Sequence, residues 1–445
     1  IAHPSGLAAP CLVIDSDGLE QWTELPPPLP DWARREPAAI RARARECGLV
    51  GLGGAAFPTA VKLNAAVEKP IELLVLNGAE CEPYITCDDM LMRDRAAEIV
   101  AGLRIMRHAL QAQRAVIAVE DNKPEARAAL QRVLAESGTD AAGIELRVLP
   151  TRYPIGGEKQ LIKALTGLEV PSHGLPADLG IVCHNVATAY ALYEAVLFGR
   201  PLIARYVTVT GDGIREPQVL EALIGTAVNE LVAQCGGYQP EVRRLIMGGP
   251  MMGFTLSHDA VPIVKGSNCI LALRGAPPAE EPMPCIRCAA CVEVCPAHLL
   301  PQQLYWYTRA KDFDQVQDYH LFDCIECGCC AAVCPSHIPL VQYYRYAKSE
   351  IWAREREKEK AELARTRHTA RQERLEREQE ERAAKLRKKK EAVSAERETA
   401  GASDPKKAAI EAALAKAKAK ARKAAAAASE PAPGSGGDSP RSAEH

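Results

Sequence analysis

No stretch of this sequence is long and apolar enough for a membrane span, which takes about 18 to 20 uncharged residues. The best candidate, Ile181 to Phe198, is broken by His184, Asn185 and Glu194. A basic start followed by an apolar run is also missing, so no signal peptide is expected. The chain opens on Ile1 rather than Met, and an N-terminal part is expected to precede it. A strong charge of one sign is lacking too. The net charge of −2 divides into +6 for residues 350–445, with 24 Lys/Arg against 18 Asp/Glu, and −8 for the rest. No basic stripe of the kind nucleic-acid binders carry is found, and no nucleic-acid partner is expected. With 445 residues the chain is too long for one ordinary core and predicts two to four domains.

What the sequence has in quantity is cysteine: 16 residues, nine of them between Cys285 and Cys334. Disulfide frameworks belong to small secreted domains, so metal in a reducing compartment is the better reading. Cys285, Cys288, Cys291 and Cys295 are followed by Pro296, and the pattern recurs as Cys324, Cys327, Cys330 and Cys334 before Pro335. Zinc sites use paired ligands, whereas this run is that of two-cluster ferredoxins, in which the fourth cysteine serves the other cluster. Two 4Fe–4S clusters follow, one on Cys285, Cys288, Cys291 and Cys334, its twin on Cys324, Cys327, Cys330 and Cys295. The connector, residues 299–319, reads as helix, which predicts a helical rather than a hairpin ferredoxin-like domain. Cys329 is a bystander at the wrong spacing. Cys11, Cys47, Cys81, Cys87, Cys183, Cys235 and Cys269 read as plain thiols.

The fold class is multidomain α/β. Residues 1–35 hold a short strand pattern, Cys11 to Ile14, and then a proline-rich linker. From 36 to 204, apolar runs at 71–76, 115–119, 144–149 and 180–184 alternate with helical stretches such as 125–136, the pattern of buried parallel strands. Residues 205–265 read as a small α+β unit, with a strand (YVTVT), a helix over 217–235 and a glycine segment at 248–253. The cysteine domain occupies 276–346. Beyond it, residues 350–400 predict a solvated helix held by ion pairs, and 401–445 a disordered end. For the tail as a whole, residues 350–445, the alternative to a solvated segment is a basic tail resting on anionic headgroups.

Candidate ligand-binding residues gather at three strand ends, where open α/β sheets bind ligands. Gly51, Gly53 and Gly54 stand before a helix carrying Lys62, a combination suited to phosphate, although a tight helix–helix turn has the same composition. A helix, not a strand, is expected before those glycines, so the dinucleotide fingerprint is incomplete. Asn77, Glu80 and Glu82 follow the first strand, Tyr153 and Glu158 the third, and His184, Asn185 and Thr188 the fourth.

The motifs GLGGAAFPTAVK, NGAECEPYITCDD, YPIGGEKQLI and CHNVAT, followed by the paired cysteine runs, resemble the C subunits of Rnf ion-translocating electron transport complexes. Their flavin domain is similar to the NADH-binding flavoprotein subunit of complex I. The resemblance implies a Rossmann-like FMN/NADH domain at 36–204, a soluble-ligand-binding β-grasp (SLBB) module at 205–265, and the end of a barrel-sandwich, lipoyl-like domain in 1–35. It assigns Gly51, Gly53, Gly54, Lys62 and Asn77 to flavin and nucleotide, with Phe57, Tyr153, Glu80, Glu82 and Glu158 shaping the nucleotide site. His184, Asn185 and Thr188 lie along the flavin. Ala79 and Gly157 replace two carboxylates of that relative.

The resemblance further implies a peripheral protein at the cytoplasmic face of the bacterial inner membrane. Its partners would be integral membrane subunits and flavin/iron–sulfur subunits, with ferredoxin reached indirectly. The implied activity is NADH/NAD+-linked electron transfer through FMN and two 4Fe–4S clusters. A cobalamin reductase and a non-catalytic electron-carrying scaffold are the competing readings.

Overall fold

A computed structural model describes residues 17–19, 21–275, 281–399 and 405–427. The strand expected at Cys11 to Ile14 lies outside those residues. The chain forms two units, residues 1–354 and 355–445.

The first layer is built on α1 (Pro37–Glu46), which leads through the glycine loop to α2 (Thr59–Leu63) and α3 (Ala65–Glu68). Then β1 (Leu73–Gly78), α4 (Cys87–Asp94), α5 (Ala96–Leu110), β2 (Arg114–Glu120), α6 (Pro124–Glu136) and β3 (Ile144–Leu149) alternate. They are followed by α7 (Glu158–Thr166), β4 (Ile181–Asn185) and α8 (Val186–Phe198). The four strands are all parallel in the order β3-β2-β1-β4. Leu74, Leu76, Ala115, Ile117 and Val182 face one layer of helices, while Leu73, Val75, Val116, Ile181 and Cys183 pack against Leu161 and Ile162 of α7 on the other. Burial on both faces explains why β1, β2 and β4 read as nearly unbroken apolar runs, while the edge strand β3 leaves Glu145, Arg147 and Val148 exposed. The chain leaves β1 towards β2 and β3, and returns to its other side only with β4. That reversal opens a crevice at the carboxyl ends of β1 and β4.

The second sheet has the order β6-β5-β9-β7-β8, from β5 (Ala204–Thr210), β6 (Gln218–Leu223), β7 (Arg244–Met247), β8 (Phe254–Leu256) and β9 (Cys269–Leu273). A single helix, α9 (Val228–Gln234), packs its Val228, Leu231 and Val232 on the sheet's core. The helix expected over 217–235 is therefore a strand and a shorter helix. Residues 218–223 pair antiparallel with β5, and Gly225, at φ +104°, turns the chain before α9 begins. QVLEAL fits either period, and the open edge of β5 decides for strand.

The cysteine region contains α10 (Ala290–Glu293), α11 (Pro301–Ala310), α12 (Phe313–Asp318) and α13 (Cys329–Ala332). The expected helical connector is two helices, broken at Lys311 in the left-handed region. The long α14 (Leu340–Thr399) opens with Tyr344, Ala347 and Ile351 in the core of this region. Its later residues, from Glu355 to Glu396, are all exposed. Last comes α15 (Pro405–Ala427), helical where the sequence pattern predicts disorder. Its sequence is dominated by alanine and lysine, both strong helix formers, which outweigh the missing apolar face. No described helix is long and apolar enough to cross a membrane.

Candidate flavin and iron–sulfur sites

At the crevice between β1 and β4 lies a cavity of about 500 Å³, within the usual size range for cofactor sites. Eleven of the expected residues line it: Gly51, Gly53, Phe57, Lys62, Asn77, Glu80, Glu82, Tyr153, Glu158, His184 and Asn185. Gly54 and Thr188 are not among the lining residues. Gly54 turns the loop at φ +109°, and Thr188, fully buried on α8, accepts a hydrogen bond from the Leu52 amide at 3.0 Å. Thr188 thus holds the glycine loop from behind. On its other side the Arg205 guanidinium, buried on β5, donates to the Leu52 carbonyl at 3.0 Å.

Several side chains expected to face a ligand are already engaged. Asn77 donates to the Gly156 carbonyl at 2.9 Å and accepts from the Ala79 amide, tying two strand ends together. Asn185 caps α8 by accepting from the Ala187 amide at 2.8 Å and donates to Asp88 at 2.6 Å. Lys62 pairs with Glu158 at 2.5 Å. Glu82 accepts from the Met251 and Met252 amides at 2.7 and 3.0 Å through one oxygen. A Cβ at Gly249 would stand 2.2 Å from Glu82 Cγ, so only glycine admits this approach. Glu82 therefore fixes the β-grasp loop over the cavity, a role invisible in its local motif.

Glu80 is held by the Asp88 and Asp89 amides at 2.8 and 3.1 Å, at the start of α4. Burial, then the neighbouring Asp88 carboxylate, push its pKa up to about 8. Burial also raises Asp88, with Asn185, Arg205 and Lys123 working against it. His184 goes the other way: burial, helped by Lys62, lowers it to about 3, so the ring is neutral.

Among the described residues, three buried polar atoms on this cavity lack a partner: Glu82 Oε2, His184 Nε2 and Gln160 Oε1. The Tyr153 hydroxyl, which donates to the Cys327 carbonyl at 2.5 Å, also lies close enough to the Glu82 carboxylate to favour its charged form. Unmet buried polar groups are what a missing polar ligand leaves behind. With the glycine loop and the Lys62 helix, they fit a flavin nucleotide. Sequence reasoning missed Asp88, Gln160, Met252, Asn268 and Ile325 on the wall. Asp88 and Gln160 lie inside the motifs NGAECEPYITCDD and YPIGGEKQLI, and Met252 inside the glycine segment, whereas Asn268 and Ile325 carry no such signal.

The eight motif cysteines form two further cavities. Cys285, Cys288, Cys291 and Cys334 line one, and Cys295, Cys324, Cys327 and Cys330 the other. All described cysteines are free thiols. The two motifs repeat each other's backbone. Arg287 and Glu326 (φ +58° each), Ala289 and Gly328 (+65° and +81°), and His298 and His337 (+51° and +49°) are left-handed at matching offsets. These turns bring three thiols to one side, which fits a cubane cluster with exchanged fourth ligands. Lys348 of α14 donates to the Cys324 carbonyl at 2.7 Å and pairs with Glu326, steadying the second loop.

The profile of the Nuo51 FMN-binding domain matches residues 44–194, that of the SLBB domain 206–255, and that of the 4Fe-4S dicluster domain 284–338. Fold, cavities and these matches define an iron–sulfur flavoprotein carrying FMN and two 4Fe–4S clusters. The C subunit of the ion-translocating oxidoreductase complex of Pseudomonas aeruginosa is 50% identical over 385 residues, 86% of this chain and 49% of its own length. Its counterpart in Vibrio cholerae is 48% identical over 415 residues, 92% of this chain and 53% of its own. The chain belongs to this family of C subunits and spans about half the length of the curated relatives it matches. A looser likeness is to an NAD+-reducing NiFe-hydrogenase crystal structure, with 19% identity and a TM-score of 0.47, over 72% of this chain and 61% of that one.

Proposed function

We propose that this chain is the peripheral nucleotide-oxidising, or NAD+-reducing, subunit of a membrane-bound Rnf-type ion-translocating ferredoxin:NAD+ oxidoreductase. Electrons would travel between NADH and two 4Fe–4S clusters through FMN, at the cytoplasmic face of the bacterial inner membrane. The integral and flavin/iron–sulfur subunits of the complex would be the partners. The observation that carries this reading is continuity. The cavity that fits a flavin includes Ile325 in its wall, and Tyr153 from that wall hydrogen-bonds the backbone of Cys327.

FMN, when bound, supplies the conversion between a two-electron hydride and the single electrons a cluster takes. The chain's own residues provide the rest. The Gly53 amide and the Lys62 ammonium would hold phosphate, Lys62 exchanging part of its contact with Glu158, while the Gly51 amide closes the loop on the Phe57 carbonyl at 2.7 Å. Neutral His184 offers a ring nitrogen without adding charge, and Glu82 Oε2 an acceptor for sugar hydroxyls. Phe57, 51% exposed at the rim, offers a face for a nicotinamide to stack on. The cavity against Ile325 and Tyr153, lined by Cys295, Cys324, Cys327 and Cys330, would be the first stop for electrons. The one with exposed Cys288 would be the exit.

Anaerobically purified protein should contain about eight iron and eight sulfide, two cubes' worth, together with flavin. NADH should bleach the flavin absorbance and then the cluster absorbance. A flavin that stays oxidised with excess NADH would sink the reading.

A further inference from the structure

Gln160 is the unanticipated member of the three unpartnered atoms on the cavity. It lies in the first turn of α7, and its Oε1 is buried without a hydrogen-bond partner. The backbone beside it makes room for it. A Cβ at Gly157 would stand 2.7 Å from that same Oε1, so any side chain at 157 would displace the amide. A buried acceptor left unmet is costly, and a native fold keeps one where a ligand completes it.

We propose that the Gln160 side-chain carbonyl is a binding determinant of this cavity, accepting a hydrogen bond from a sugar hydroxyl of the bound nucleotide. The chemistry of the wall selects that group. An acceptor oxygen repels phosphate, which has no hydrogen to offer at neutral pH, so the phosphate belongs at the Lys62 side. Glu82, whose Oε2 has no hydrogen-bond partner, lines the same cavity and has a second acceptor to offer. Adjacent hydroxyls of a sugar chain or ribose provide two donors at once, as two such acceptors require. The inference rests on the reading of the cavity as a flavin and nucleotide site. Both the ribityl chain of FMN and the ribose of NADH carry this chemistry.

The test uses the full chain, purified anaerobically with its clusters, as Gln160→Ala and as Gln160→Met, which keeps the length but removes the acceptor. FMN affinity and the KM and kcat for flavin reduction by NADH are the readouts, with iron content and cluster spectra as controls. Both variants should lose roughly three- to ten-fold, the value of one neutral hydrogen bond. A loss in FMN affinity assigns the hydroxyl to the ribityl chain. A raised KM with unchanged kcat and normal FMN content assigns it to the ribose of NADH. Wild-type binding of both in Gln160→Met would overturn the proposal, even with a loss in Gln160→Ala, because packing alone would then explain the site. If NADH fails to bleach the wild-type flavin, the functional reading falls, while the FMN arm still decides on Gln160.

Discussion

Glu80 shows how a single carboxyl can be tuned by what surrounds it. Its pKa is raised to about 8 from 4.5, first by burial and then by Asp88, while Lys123 pulls the other way. The folded state therefore keeps a proton that the unfolded chain releases near its ordinary pKa, so this contribution to stability is complete below that value and lost as the pH rises through 8. Thermal unfolding of the flavin-free protein should show a melting temperature that falls between about pH 5 and pH 9, and a shallower fall in Glu80→Gln. Equal slopes in the two proteins would refute the assignment. Lys62 makes the complementary case. Removing one charge-assisted contact costs about 1.5–3 kcal/mol, so Lys62→Ala should retain flavin roughly ten- to hundred-fold more weakly, measured as flavin per iron. The motifs make Lys62, Glu80 and Glu82 legible as cavity residues. They do not reveal that Asn77 and Asn185 spend their amides on the chain itself, because those partners, Gly156 and Asp88, are 79 and 97 residues away in sequence.

At the scale of elements, β1, β2 and β4 are readable because each is buried on both faces and so runs largely apolar, whereas the edge strand β3, with Glu145 and Arg147 exposed, is readable from its Ile, Leu and Val content. The β6 segment misleads because its pattern is ambiguous and only its pairing with β5 resolves it. The alanine-rich end misleads in another way: its composition lacks an apolar stripe and so suggests disorder, although propensity alone supports α15. The cysteine motifs are the clearest signal, since ligand spacing is local. Cys334 lines the cavity of Cys285, Cys288 and Cys291. Cys334→Ala should therefore damage the cluster of those three residues and spare the cluster of its own motif. Electron paramagnetic resonance of the reduced variant checks this, and loss of the other signal alone would exclude the exchange of ligands.

Across residues 1–354, long-range side chains connect what the sequence presents as separate modules. Arg205 reaches from the β-grasp sheet to the glycine loop, Glu82 from the flavin sheet to the Met251 and Met252 amides, and Tyr153 to Cys327. Asp323 beside the second cysteine loop receives Ser172 at 2.6 Å and pairs with Lys159 at 3.5 Å. None of these contacts has a local signature, so the joints between modules are the least legible part of the fold. Tyr153→Phe should slow the reduction of the clusters more than the preceding flavin bleaching by NADH, followed by stopped-flow absorbance. Equal effects on both phases, or none on either, would show that this hydrogen bond does not position the second loop.

The crossed cysteines also set a timetable for synthesis. When Cys295 leaves the ribosome, all four thiols of the first motif are available, yet the cavity that Cys285, Cys288 and Cys291 begin still lacks a wall. That wall is Cys334, which emerges only after α11, α12 and the second motif have been made. The second cavity waits as well, because it needs Cys295 from the older segment beside three younger thiols. Neither site can close on a nascent chain that stops between the motifs. Completion of both cavities is thereby postponed until the second motif has been made.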